Sequence, residues 1–242
     1  MARNFIAAST QYLSKASATV PSMPFTMAAF ARTSDATTGQ TIMAFGSSSD
    51  TAPYWVLQFR GDVASDPIRA AQRDNASVEG ISVGANYSIN TWYHCGVVFN
   101  SSSSRTCYVN GIAGTPDTTV LGATTVNQFA IGSYWRATPV ALLNGDVAEA
   151  AIWTVALTAG EIGLLAKGTP PLYIRPASLL YYWKILGDAS PEPDNWGLWP
   201  LTVNNSPLKI DHYSIFGGTL PIAEQRRDPK LRARPFAPGL AR

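Results

Sequence analysis

Two histidines are the first candidates for chemistry in this chain of 242 residues. His94 stands in Trp92-Tyr93-His94-Cys95-Gly96, among aromatic and small residues, and His212 follows Asp211 far along the chain. A metal centre or a nucleophilic triad needs His, Cys or carboxylate groups that converge. Neither H-E-x-x-H nor C-x-x-C occurs, so His94 is expected to be a hydrogen-bonded structural residue. Asp146 and Glu149 are the nearest approach to an acid pair. On an extended strand, residues three apart point to opposite faces, so these two are not expected to flank one bond, and no catalytic residue is assigned. Cys95 and Cys107 fall on the two arms of one predicted hairpin. A disulfide between neighbouring strands is geometrically awkward, and both are read as small buried thiols.

Aromatic residues offer a second chemistry. Trp55, Tyr134 and Trp135, with Tyr54, are candidates for a platform whose ring faces stack on a sugar or on a protein neighbour. The charges offer a third. Residues 224 to 242 hold Arg226, Arg227, Lys230, Arg232, Arg234 and Arg242 against Glu224 and Asp228, a local balance of +4 within a net charge of +2. The remaining body is therefore mildly acidic and lacks the basic field that nucleic-acid binding requires. The tail could dock on an acidic surface, touch nucleic acid or simply be a soluble end. The four prolines of residues 221 to 242 and the apolar Leu231, Phe236 and Leu240 favour an extended anchoring arm laid along a protein groove.

The elements that must position these residues are strands. Turn residues recur at short intervals between runs rich in Val, Ile, Tyr, Phe and Thr, the pattern of a sandwich or barrel. Strands are expected near 10–14, 24–33, 41–46, 54–60, 66–72, 77–83, 91–99, 105–110, 126–132, 146–153 and 178–185. One helix is expected over 159–167, with Thr158 and Glu161 forming a capping box, Gly168 as a left-handed stop and Pro170 and Pro171 barring continuation. Ile162, Leu165 and Ala166 share one of its faces. The composition then divides the chain into a domain over 1–187, a sandwich-associated segment over 188–220 and the basic arm over 221–242. The apolar share of 46% is ordinary for a globular protein, while the charged share of 14% is low; this suits exposed β-structure or a subunit covered by neighbours. Polar residues soon after Met1 predict no secretion signal, hence synthesis in the cytoplasm, and no run approaches a membrane span.

The order Trp92-Tyr93-His94, Tyr108-Val109-Asn110-Gly111, Ile131-Gly132, Asn144 to Trp153 and the Thr158 helix resembles the laminin-G-like superfamily, the concanavalin-A-like lectin and glucanase jelly roll. The resemblance implies an all-β, two-sheet antiparallel jelly-roll sandwich with one short helix and an extended C-terminal arm. Leu179 to Trp183 followed by Ser190-Pro191-Glu192-Pro193-Asp194 is similar to the version found in bacteriophage structural proteins. That implies a non-catalytic virion subunit, a capsid- or tail-associated decoration or adhesion component. Its partners would be other virion proteins, copies of itself and a host-surface glycan. A carbohydrate-binding adhesin is the alternative, and a glycan hydrolase a second one. Hydrolases of this fold share an E-x-D-x-E strand that sets two carboxylates at the spacing retaining hydrolysis requires, whereas Asp146-Val147-Ala148-Glu149 departs from it. Related lectin-like loops hold structural Ca²⁺; here Asp35, Asp50, Asp62, Asp66, Asp74 and Asp117 are scattered, and no cofactor is assigned.

Overall fold

A computed structural model describes residues 1–211. It contains β1 (Ala2–Phe5), β2 (Tyr12–Ala16), β3 (Phe25–Thr33), β4 (Gly39–Gly46), β5 (Tyr54–Arg60), β6 (Pro67–Arg73), β7 (Glu79–Asn86), β8 (Tyr93–Ser101) and β9 (Ser104–Val109). There follow β10 (Ile112–Ala113), β11 (Gln128–Ile131), β12 (Tyr134–Arg136), β13 (Thr138–Val140), β14 (Gly145–Trp153), α1 (Ala159–Ala166), β15 (Leu179–Trp183), β16 (Thr202–Asn204) and β17 (Leu208–Ile210). Two antiparallel sheets face each other in a jelly-roll-like sandwich. The first runs β10-β9-β8-β3-β14-β1-β17, with β15 also paired to β14, and the second runs β16-β2-β11-β4-β5-β6-β7.

Alternation decides which side chains seal the interior. Phe25, Met27, Ala29 and Ala31 of β3 point inward with Cys95, Val97 and Phe99 of β8, against Phe45, Trp55, Leu57 and Phe129 from the second sheet. The intervening Ala28, Phe30 and Val98 lie on the outer side of the first sheet. Because Ala28, Ala151, Trp153 and Tyr182 make that outer side apolar, it too must be covered. Ile162 and Leu165 of α1 cover part of it.

The helix begins where its cap dictates. The Thr158 side chain accepts the Glu161 N–H at 3.3 Å, and the Glu161 carboxylate accepts the Thr158 N–H at 2.8 Å. It ends on Gly168 at φ +91. There the Gly168 N–H donates to the Leu165 carbonyl and the Thr169 N–H to that of Leu164, which satisfies two terminal acceptors. Pro170 and Pro171 then turn the chain back across the outer side of the sheet.

Six short strands escape the periodicity: β1, β10, β12, β13, β16 and β17. Each has 2 to 4 residues, too few for alternation to register. Two of them show that residues 188–211 are built into the sandwich, since β16 pairs with β2 and β17 with β1. The Trp199 ring stacks on Tyr181 at 4.0 Å between centroids, and its carbonyl accepts the Trp183 indole N–H at 3.1 Å. No helix among the described residues is long and apolar enough to cross a membrane. The arm residues Arg226, Arg227, Lys230, Arg232, Arg234 and Phe236, and His212, lie outside the described residues.

A buried ion pair ties the chain's start to this late segment. Arg3 Nε donates to Glu192 Oε2 at 2.6 Å, with both side chains 5% exposed or less, and Glu192 Oε1 accepts the Leu186 N–H at 2.9 Å. Arg3→Met would strand a buried carboxylate, so urea unfolding should show a loss of about 3–5 kcal/mol. A loss below about 1 kcal/mol, the range of surface pairs, would contradict this role.

Candidate functional site

The strand β14 borders two partners along one edge. Its first half pairs with β1, through Arg3 opposite Val147, and its second half with β15, through Trp183 opposite Ala150. Between them the register shifts from Ala148 to Ala151, and Glu149 takes φ +53. A non-glycine residue in the left-handed region at a bulge is strained, and such strain collects at functional positions. The extra residue also resets the alternation. Asp146 and Glu149 therefore share the outer side of the sheet, contrary to the expectation of opposite faces, which assumed an uninterrupted strand. They do different work. Asp146 pairs with Arg32 and accepts the Asn4 amide at 2.7 Å, while the Glu149 carboxylate accepts the Tyr182 hydroxyl.

Glu149 lines a pocket of about 250 Å³ between the outer side of the first sheet, α1 and the chain that follows it. Ala28, Phe30 and Trp153 form its apolar floor, with Leu165 on one wall. Pro170, Pro171 and Tyr173 form the opposite strap, and Tyr173 is 75% exposed at the rim. The polar groups are His94, Glu149, Thr169, Tyr182 and Lys184. His94 reaches this pocket because it pairs with Phe30 across β8 and β3, with the two rings 5.1 Å apart and edge-on. It is 2% exposed, and its Nδ1 has no hydrogen-bond partner among the described residues. The hydrogen bonding expected of a structural histidine is thus unmet at Nδ1. Sequence reasoning weighed His94 and Glu149 one at a time; only the cross-strand register and the bulge bring them to one cavity.

Burial sets the electrostatics. It drives the His94 imidazole down to about 3, so the ring is neutral near pH 7. Burial raises the Glu149 carboxyl above its ordinary value, opposed by the Tyr182 hydroxyl, Lys184 and the amino terminus. The Tyr182 hydroxyl is pushed far up by burial and then by Glu149. The pocket thus combines one carboxylate, one ammonium, a neutral imidazole and apolar rings, which suits a ligand with both hydroxyl groups and an apolar face.

The aromatic platform is not assembled. Trp55 faces inward, 3% exposed, and meets Phe25 and Phe99 edge-on at 5.1 and 4.8 Å; its neighbour Tyr54 takes the outward position. Tyr134 and Trp135 are half-buried and adjacent on β12, so they project to opposite sides. Tyr134 meets Tyr54 at 5.2 Å and Trp135 meets Tyr12 at 6.4 Å. Their hairpin sits close on β4, where a Cβ at Gly46 would lie 2.3 Å from the Trp135 carbonyl oxygen.

Several of the loop aspartates are committed to structure. Asp35 caps Thr37 and Thr38, Asp74 accepts the Val78 and Gly122 N–H groups, and Asp62 and Asp117 pair with Arg60 and Arg105. Among the described residues no three His, Cys, Asp or Glu side chains group as metal ligands. Cys95 and Cys107 are free and buried, opposite Val109 and Val97 rather than each other. Contrary to the expectation that the chain holds no G-x-S-x-G, Gly80-Ile81-Ser82-Val83-Gly84 matches that nucleophile-elbow spacing. Ser82 lies within β7, however, fully buried, donating to the Thr115 carbonyl at 2.7 Å and accepting the Cys107 N–H.

Comparison with known proteins agrees with this architecture. The family model of the concanavalin A-like lectin/glucanases superfamily matches residues 7–163. No curated protein matches the chain. Among solved structures, a Bacteroides ovatus protein named "putative carbohydrate binding protein" superposes with a TM-score of 0.62 at 19% identity, covering 87% of this chain. The chain spans 61% of that protein's length. A heptameric SAP-like pentraxin from Limulus polyphemus gives 0.50 at 15% identity, covering 64% of this chain and 75% of its own. The CBM40 of a Ruminococcus gnavus IT-sialidase, bound to α2,3-sialyllactose, gives 0.50 at 11%, covering 59% and 82%. At these identities the likeness is one of fold.

The neutral, buried His94 has a consequence for stability. The unfolded chain binds a proton near the ordinary 6.5, whereas the folded ring resists until about 3. The stability this group confers is therefore complete above about 6.5 and lost as pH falls toward 3. Urea midpoints at pH 7 and about 4.5 should fall less in His94→Phe than in the unaltered protein. Equal falls would show that His94 does not titrate in this way.

Proposed function

The chain belongs to the concanavalin A-like lectin/glucanases superfamily, and from that premise we propose that it is a non-catalytic carbohydrate-binding domain whose pocket beneath α1 receives a sugar. The observation that carries the proposal is the meeting of Glu149, Tyr182, Lys184 and His94 with Phe30, Trp153 and Tyr173 around one cavity. Sugar hydroxyls both donate and accept, so a carboxylate beside an ammonium and a phenol matches them in kind. Sugar C–H faces need apolar partners, which the rings and prolines supply. The name of the Bacteroides ovatus protein and the sialyllactose on the Ruminococcus gnavus domain support the same reading.

A hydrolytic role has less support. Retaining and inverting hydrolysis both call for two carboxyl groups at the scissile bond, and among the described residues Glu149 alone lines this pocket as an acid. Asp146 is held by Arg32 and Asn4. The anchoring arm of the virion-subunit reading, Arg226 to Phe236, lies outside the described residues, and sugar binding is favoured over that reading because the similar solved structures carry carbohydrate-binding names.

A glycan array followed by calorimetry tests the proposal. Saturable binding to at least one sugar is expected. Glu149→Gln should weaken it by about 10- to 100-fold, the cost of roughly 1.5–3 kcal/mol for a hydrogen bond to a charged group, with the melting temperature kept. The absence of binding to every sugar, or binding indifferent to Glu149, would sink it.

A further inference from the structure

We infer that this pocket recognises a single uncharged sugar ring at the end of a glycan chain, not an internal stretch of polymer; this rests on the sugar-binding proposal and adds the class of ligand. Two observations point to it, one of size and one of charge.

The cavity, about 250 Å³, falls below the roughly 300–1,000 Å³ of sites that enclose larger ligands. Its boundaries explain why it is short. The floor is the sheet formed by β8, β3 and β14, which closes the cavity from below. One wall is α1, anchored through Ile162 and Leu165. The strap over 168–173 is fixed by the helix stop at Gly168, by the prolines and by the Tyr173 N–H donating to the Pro170 carbonyl at 3.0 Å. Behind the strap, the Ile174 carbonyl accepts the Trp153 indole N–H at 2.8 Å. A pocket bounded by such pinned elements holds one ring and leaves the next sugar at the mouth, beside Tyr173.

Charge selects within that class. The lining carries one carboxylate, Glu149, and one ammonium, Lys184. Glu149 already receives the Tyr182 hydroxyl, an arrangement that uses its carboxylate as acceptor. An acidic sugar would set a second negative charge beside it. A neutral ring instead offers hydroxyls to Glu149 and to the His94 ring, 2% exposed with Nδ1 unpartnered among the described residues.

The experiment uses the full chain and three sets of probes: methyl glycosides of neutral hexoses and N-acetylhexosamines, linear oligosaccharides ending in the preferred ring, and the same oligosaccharides capped with sialic acid. The matching methyl glycoside should compete within about tenfold of the oligosaccharide, a difference of roughly 1.4 kcal/mol. The capped forms should not compete. Tyr173→Ala, at an exposed rim position, should weaken the oligosaccharide more than the methyl glycoside, while Tyr182→Phe should weaken both. Affinity that climbs with chain length while the methyl glycoside fails to compete would overturn end recognition. Preference for the sialylated forms would overturn neutrality. If none of the sugars binds, the sugar-binding proposal itself fails and this inference falls with it.

Discussion

The bulge at Glu149 is the constraint on which the rest of the site depends. A single strand, β14, must satisfy β3 along one edge and both β1 and β15 along the other. At the junction between those two partners one residue has no place in the ladder, and it is Glu149 that takes the left-handed conformation. Two results follow together. The alternation of β14 is reset, so that Val147 and Ala150 both enter the core. The carboxylate emerges on the outer side of the sheet, where Tyr182 and Lys184 of the β15 end meet it. Local backbone strain and the placement of a polar group are one event here, as expected for bulges that re-aim a side chain.

That carboxylate becomes part of a cavity because the outer side of the sheet is too apolar to face water. Ala28, Ala151 and Trp153 call for a cover, and α1 with the strap after it supplies one. Between cover and sheet a cavity remains over Phe30, His94 and Glu149. The capping box at Thr158 and the stop at Gly168 thus matter beyond helix stability, since they determine where the cover begins and ends.

Much of the sandwich is legible in the sequence because its long strands are rich in strand-forming apolar residues and are bounded by turn residues, although strands such as Phe25 to Thr33 are buried on both faces. Phe25 to Thr33 and Tyr54 to Arg60 can be read almost to the residue, and the Thr158 helix can be read from its caps alone. The short strands are not legible, since three residues such as Thr202 to Asn204 carry no period. β16 and β17 are strands only because β2 and β1 offer them edges. The site is illegible for a different reason. His94 and Glu149 are 55 positions apart, and what joins them is cross-strand register plus a bulge that no local pattern announces. Trp55 shows the converse error. Of two adjacent aromatics in a strand one must turn inward, and the inward one has no face to offer a ligand.

The most direct measurement of the central claim is a crystal structure of the protein with its preferred sugar bound. The account predicts one ring between the 168–173 strap and the β3–β8 floor, with a hydroxyl within hydrogen-bond distance of the Glu149 carboxylate. A sugar seated instead on the second sheet, beside Tyr134 or Trp135, with the cavity beneath α1 unchanged, would contradict it.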